Sequence, residues 1–312
     1  MQTKIIQTKI VILGTGGTIA GTAASATDAV AYTAAQLGVA QLVAAIPALA
    51  QLPLECEQVA QLDSKDMDHA TWQRLARRAA HHLARADVGG VVVTHGTDTL
   101  EETAYFLHRV LAPAKPLVLT AAMRPATSLQ SDGPQNLLDA VTAARDARAQ
   151  GALVVMAGRV WSGAELRKLH SYRLDAFAAG DAGPLAAIEE GVLRWWRTVP
   201  STEALGLTHI ARDAASWPRV EIVLNHAGAS GLLVDALAAQ AVQGLVVAGT
   251  GNGTLHRDLE AALLRAHAAG VRVLRATRCA TGPVIGETAL PSAGSLSAVQ
   301  ARVELLLQLL AR

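Results

Sequence analysis

No run of apolar residues in the 312-residue sequence is long enough to cross a membrane as a helix, so the chain is not expected to sit in a bilayer. Cysteine is scarce. Cys56 and Cys279 are isolated and lack the spacing of a metal site or a disulfide framework, and are expected as two buried thiols. Charged residues make up only 17%, with a net charge of +1 and no long block of one sign, which argues against nucleic acid or an anionic membrane as the main partner. Aromatics are few at 3%, so the core must be built from aliphatic side chains and the abundant alanines. That composition suits helices packed closely on a sheet. The first nine residues have neither the apolar segment nor the cleavage site of a secretory leader. The expected location is therefore cytoplasmic, or periplasmic if a signal has been removed.

What is present is alternation. Apolar content of 51% over this length supports a folded chain with room for two domains. Periodicity predicts helices over 33–50, 71–86, 100–111 and 136–149, and buried strands over 91–94, 116–121 and 152–156. Such alternation implies an α/β fold, with a larger N-terminal domain (1–194) whose mainly parallel sheet is flanked by helices. From 195 to 217 the pattern lapses into a polar stretch with Pro200, read together with Pro218 just beyond it as a linker. It then resumes in a smaller C-terminal parallel α/β domain (218–312), with strands over 220–224, 245–248 and 271–275 and helices over 234–240, 255–269 and 297–310. No repeat at fixed spacing is present.

Two turns carry the chemistry. The run Val91–Thr94 breaks at Gly96 and places Thr97, Asp98 and Thr99 before a helical pattern. Thr97 or Asp98 would cap that helix, and Glu101 and Glu102 suit the positive end of its dipole. Near the amino terminus a second apolar run ends in Gly14-Thr15-Gly16-Gly17-Thr18-Ile19-Ala20-Gly21. Its glycines let backbone approach a ligand and leave N–H groups free to donate. It is neither a dinucleotide fingerprint, since the third glycine would fall at Ile19, nor a P-loop, since no Gly-Lys-Ser/Thr follows. Hydroxyls and a carboxylate at the carboxyl ends of parallel strands occupy the place where open α/β sheets bind ligands.

Taken together, Gly-Thr-Gly-Gly-Thr-Ile-Ala-Gly and the later Thr-His-Gly-Thr-Asp-Thr-Leu-Glu-Glu-Thr-Ala resemble the bacterial-type L-asparaginase family, closest in look to its type II enzymes. Leu-Asp-Ser64-Lys-Asp-Met, Ala121-Ala-Met-Arg-Pro-Ala-Thr-Ser, Asp132-Gly-Pro and Gly249-Thr-Gly-Asn-Gly extend the resemblance in the same order along nearly the whole chain. It implies hydrolysis of L-asparagine to L-aspartate and ammonia, with some possible L-glutaminase activity and without metal or cofactor. A threonine nucleophile would form a covalent acyl-enzyme. By the match, Thr15 is that nucleophile and Tyr32, on a mobile loop, assists it. Thr97, Asp98 and Lys168 form a second cluster, in which the lysine's basicity is relayed to a hydroxyl. Ser64 and backbone N–H groups would hold the substrate carboxylate and Asp98 its ammonium. Asn252 and Glu287, from a neighbouring subunit of a homotetramer, would complete the pocket.

Arg167, beside Lys168, is excluded as a base because a guanidinium stays protonated near neutral pH. Lys65 departs from the family pattern, which more often has glutamine or glutamate there, and is expected to point to solvent along its apolar stem. His95 lacks companions at metal-ligand spacing and reads as a support for its turn. His81 and His82, on a helix with Arg77, Arg78 and Arg85, read as a solvated basic face. Trp195 and Trp196 are expected at an interface, and Arg124 and Asp132 as loop supports. The rival readings are a glutaminase-asparaginase, an amidase subunit of a transfer-RNA amidotransferase, and a non-catalytic amino-acid-binding protein.

Overall fold

The computed structural model describes residues 8–312, so most of the leader reading for the first nine residues lies outside it. The chain divides into two compact units, one ending at Leu207 and the other spanning Thr208–Arg312. The first opens with β1 (Lys9–Gly16), a small hairpin of β2 (Thr22–Ala23) and β3 (Tyr32–Thr33), helix α1 (Val39–Ala44) and β4 (Leu54–Leu62). Next come α2 (His69–Ala84), β5 (Val88–Thr94), α3 (Leu100–Leu111), β6 (Leu117–Thr120), α4 (Gly133–Arg145) and β7 (Ala152–Met156). A run of short strands closes the unit: β8 (Arg159–Ser162), β9 (Arg167–Lys168), β10 (Phe177–Ala178), β11 (Ala186–Glu189) and β12 (Val192–Trp195).

Eight of these strands form one sheet in the order β12-β11-β8-β7-β6-β5-β1-β4. From β4 to β7 neighbours run parallel, and from β7 outward the pairing is antiparallel. The five parallel strands thus follow a 2-1-3-4-5 order. The chain direction of winding reverses between β1 and β5, and the crevice above that reversal is the expected ligand position. Ile10, Ile12, Val92, Val118, Leu153 and Val155 pack on one face with Val39 and Leu42 of α1 and Leu137, Ala140 and Val141 of α4. By strand alternation, the fully buried Val11, Leu13, Val91, Val93 and Leu119 face the other way, the side covered by α2 and α3. There Trp72 stacks on Phe106 with ring centroids 4.9 Å apart, and its indole N–H donates to Thr103 Oγ1 at 2.8 Å. Burial on both faces explains why these strands read as continuous apolar runs.

The second unit is a three-stranded parallel sheet of β13 (Val220–Leu224), β14 (Gly244–Gly249) and β15 (Arg272–Thr277) in that order. Helices α5 (Leu232–Ala239), α6 (Arg257–Ala268) and α7 (Ala298–Leu310) accompany it, and α7 packs across all three strands. Ser297 and Gln300 form a reciprocal capping box at the start of α7.

Several local expectations need correction. The helix expected over 33–50 is only the six residues of α1 and a 3-10 turn at Pro47–Leu49. Thr33 belongs to the β2–β3 hairpin, and Pro47 has no N–H with which to continue a helix. The helix expected over 136–149 starts earlier, at Gly133, with Pro134 in its first turn, and ends at Arg145. Strand β4 went unread because it is an edge strand with mixed polar residues, and β8, β11 and β12 because each has only four residues. Cys56 and Cys279 are exposed free thiols, not buried ones; Cys56 lies on the edge strand β4. His82 is not solvated either: it is 2% exposed, with Nε2 2.7 Å from Glu57 Oε2, and Arg78 grips the same carboxylate.

Candidate active site

Strands β1 and β5 lie side by side in parallel, with Gly14 in register with Thr94, so both chains leave the sheet at the same level. The turns that follow are in backbone contact. A Cβ on Gly17 would collide with Gly96, and one on Gly96 would collide with the Ser64 side chain. Gly16 and Gly17 have φ of 103° and 80°, which glycine adopts without the steric cost of a Cβ. Ser64 begins the 3-10 turn Ser64–Asp66 after β4, capped by the Asp63 side chain. Three strand ends therefore converge on one point. The Ser64 hydroxyl accepts a hydrogen bond from the Asp98 backbone N–H at 3.2 Å, and Thr99 Oγ1 donates to the Ser64 carbonyl at 2.8 Å.

Thr97, Asp98 and Lys168 are brought together as the sequence reading expected of them. Lys168 ends β9, which pairs with β10 through Phe177. Its Nζ donates to Thr97 Oγ1 at 2.9 Å and to Asp98 Oδ1 at 2.6 Å. The Lys168 side chain is 17% exposed and that of Asp98 53%, so the lysine is shielded while the carboxylate faces the opening. With its lone pair engaged by Lys168, the Thr97 hydroxyl keeps its proton available for donation. Should the amine give up a proton, the same contact would let it take one from Thr97.

The glycine turn presents its two threonines differently. Thr15 still belongs to β1; it is 1% exposed and donates its hydroxyl to the Thr94 carbonyl of β5 at 2.9 Å. Thr18 is the first residue after the two positive-φ glycines, and its Oγ1 lies 2.7 Å from Tyr32 Oη. Tyr32, on the β2–β3 hairpin, packs against Gly21, where a Cβ would meet the ring at 2.9 Å. The tyrosine is thus joined to Thr18 and not to Thr15. Thr18, beside Tyr32, is a hydroxyl that sequence reasoning passed over. Two signals could have found it: strand β1 runs through Thr15, and only Thr18 follows the break.

Two ionisable groups behind the turns are perturbed by burial. His95 is fully buried, and burial pushes it down to about 4. Its Nδ1 lies 2.7 Å from the Gly96 carbonyl, which can only accept, so the proton sits on Nδ1 and the ring is neutral. Glu101, in the first turn of α3, is pushed up to about 7 by burial, against the Lys168 backbone N–H that it accepts. Lys65 is 61% exposed and pairs with Asp66 at 2.5 Å, with Asp63 at 4.0 Å. Among the described residues no group of histidines, cysteines and carboxylates could hold a metal ion.

Within the second unit, Asn252 sits on the turn after β14 and exchanges two hydrogen bonds with Ile285. Its Nδ2 donates to the Ile285 carbonyl at 2.8 Å, and its Oδ1 accepts from the Ile285 N–H at 2.7 Å. Glu287, two residues on, is exposed. Arg275 steadies the loop by donating to the carbonyls of Asn252 and Gly286, each at 3.1 Å. The structure therefore places Asn252 and Glu287 in one loop cluster.

A 2-1-3-4-5 sheet with hydroxyls, a carboxylate and a shielded lysine above its reversal defines an α/β protein with a site for a small polar molecule. Comparison with known proteins narrows the class. Residues 9–200 match the family described as "Asparaginase, N-terminal", and residues 219–311 match "Glutaminase/Asparaginase C-terminal domain". The "Glutaminase-asparaginase" of Pseudomonas fluorescens biotype A is 38% identical over 285 residues, covering 90% of this chain and 78% of the relative. "L-asparaginase 2" of Escherichia coli is 38% identical over 310 residues, covering 96% and 88%. Among solved structures, that of a "Probable Cytoplasmic L-asparaginase" from Campylobacter jejuni superposes with a TM-score of 0.91 at 34% identity, covering 97% of this chain and 95% of that one. The chain belongs to the asparaginase family.

Proposed function

We propose that this protein hydrolyses the side-chain amide of L-asparagine, and to a lesser degree that of L-glutamine, with Thr18 as nucleophile. The observation that carries the reading is the pair of hydroxyl clusters where the parallel strands β1 and β5 end side by side: Thr18 with Tyr32 at 2.7 Å, and Thr97 with Lys168 at 2.9 Å. Amide hydrolysis needs an activated nucleophile, a proton acceptor and donors for the oxyanion. Tyr32 relays the Thr18 proton, taking it as the phenol passes its own onward, while the Thr18 oxygen attacks the amide carbon. The Thr97–Lys168 pair serves proton transfer to the leaving ammonia and then activates the water that cleaves the acyl-enzyme. Ser64 and nearby backbone N–H groups suit a substrate carboxylate, and Asp98 its ammonium. Thr15 is set aside as nucleophile because its hydroxyl is donated to the Thr94 carbonyl of the sheet, whereas that of Thr18, also buried, meets Tyr32.

The neighbour-supplied residues remain part of this reading: a homotetramer in which Asn252 and Glu287 of one subunit approach the site of another. The catalytic assignment is tested by ammonia release from L-asparagine and, separately, L-glutamine. Thr18→Val and Thr97→Val should each abolish turnover, while Thr15→Val retains it and loses about 1 kcal/mol of stability with its one hydrogen bond. A near-normal rate in Thr18→Val, or an inactive but folded Thr15→Val, would overturn the assignment.

A further inference from the structure

The segment 121–132, between β6 and α4, bridges the supports of both hydroxyl clusters. On one side it holds the loop that carries Tyr32: Ala126 N donates to the Gly21 carbonyl at 2.9 Å, Ala23 N to Thr127 Oγ1 at 2.8 Å, and Leu129 N to the Ala26 carbonyl at 3.0 Å. On the other side Arg124 reaches the connection between β9 and β10. Its Nη1 donates to the Tyr172 carbonyl at 2.8 Å, and its guanidinium lies over the Tyr172 ring, 3.9 Å from the centroid. Lys168 is the last residue of β9, so that connection begins immediately after it.

Arg124 is unusual in its surroundings. It is 6% exposed, has no carboxylate partner among the described residues, and its Nε finds no acceptor. Its remaining hydrogen bond goes to the Met123 carbonyl at 3.2 Å. Asp132 is near but occupied: it accepts the backbone N–H groups of Met123 and Arg124 and the Asn136 amide, each at 3.0 Å. A guanidinium buried against neutral acceptors is costly, and an apolar side chain would serve stability better. What Arg124 supplies is a rigid planar clamp on Tyr172, which is itself 48% exposed and contributes little to the core. At its start the connection is tightened by His170, whose Nδ1 accepts the N–H groups of Tyr172 and Arg173 at 3.0 Å each.

We infer that Arg124 is a positioning residue for the Thr97–Asp98–Lys168 relay: by clamping Tyr172 it fixes the end of β9 and so the reach of Lys168 Nζ to Thr97 and Asp98. This rests on the asparaginase reading above and deepens it. The same segment holds the Tyr32 loop, so one rigid bracket sets the distance between the two proton-handling groups.

The test uses the full-length protein with three variants. Arg124→Gln removes the clamp, Arg124→Lys keeps one donor without the planar stack, and Tyr172→Ala removes the ring from an exposed position should the buried substitution fail to fold. Misplacing a reacting group by about 1 Å costs up to about 100-fold. Arg124→Gln and Tyr172→Ala should therefore lower kcat about 10-fold or more with KM changed by less than about 3-fold, and Arg124→Lys should fall between them and the parent. Trypsin nicking after the exposed Arg173 supplies a readout independent of activity, and should rise about 10-fold in Arg124→Gln as the connection opens. Unchanged nicking, or a kcat within twofold of the parent in both Arg124→Gln and Tyr172→Ala, overturns the inference. Should the parent release no ammonia from either amide, the functional reading falls, and the nicking comparison still decides whether Arg124 anchors the connection.

Discussion

Glu101 and His95 impose opposite pH slopes on stability, and replacing one should expose the other. Glu101 moves from its ordinary 4.5 to about 7 on folding. Between those values the native state holds a proton that the unfolded state has lost, so stability falls as pH rises through the window. At about 1.4 kcal/mol per pH unit, a shift of this size amounts to about 3 kcal/mol. His95 moves from 6.5 down to about 4, so the unfolded state holds the extra proton and stability rises with pH across that window. The two windows overlap from 4.5 to 6.5, where the slopes cancel. Glu101→Gln keeps an oxygen that can accept the Lys168 N–H but cannot titrate. Urea unfolding of the parent and the variant at half-unit steps from pH 4.5 to 8 is the assay. The variant should gain on the parent by about 3 kcal/mol between pH 4.5 and 8, with any fixed cost of the amide appearing as a constant offset. A stability difference that stays constant with pH to within about 0.5 kcal/mol would refute the claim that Glu101 is held protonated by burial.

Further outcomes follow from the same geometry. Because Lys65 is exposed and paired with Asp66, Lys65→Gln should change KM for L-asparagine by less than about 3-fold, the scale of a surface ion pair; tenfold tighter binding would mean that its charge reaches the substrate. His95→Gln should turn the stability profile between pH 4.5 and 6.5 from flat to falling with rising pH, measured by the same urea series, because Glu101 then sets the slope alone. Light scattering should report a tetramer, and a monomer with full activity would remove Asn252 and Glu287 from the site.

Much of the first unit was legible because its strands are buried on both faces. Continuous runs such as Val91–Val93 and Ala152–Met156 announce themselves whatever their neighbours, and α3 was bounded correctly because its apolar stripe is unbroken. Of the strands that escaped, β4 and β12 lie at the two edges of the sheet, where the apolar signal is thinned, and β8 and β11 are buried but only four residues long. His82 was misread for a related reason. A helix pattern shows which face is polar, but not that Glu57 of β4 lies within reach to draw that histidine under cover. Sequence marked Arg124 and Asp132 as loop supports but not Arg124 as a clamp, since Tyr172, which its guanidinium grips, is related to it only through the fold.

The two threonines of the glycine turn show where pattern reading gives way to geometry. Both flank glycines, both are hydroxyls, and motif order alone does not rank them. The ranking comes from where the strand stops. A residue inside a parallel pair has its backbone committed to the ladder, and its side chain must face one packed side of the sheet or the other. Thr15 lies at the register shift near the end of β1, between Gly14 and Gly16, and its hydroxyl is tied to the Thr94 carbonyl of the neighbouring strand. Past Gly16 and Gly17 the chain turns with positive φ, the ladder ends, and the next side chain is released from the sheet. Thr18 is that residue, and Tyr32 stands opposite it. The collision awaiting a Cβ at Gly17 ties the same turn to Gly96, which precedes Thr97. The glycines that free Thr18 from the sheet are therefore also what bring its strand end against the one bearing Thr97, Asp98 and the contact with Lys168.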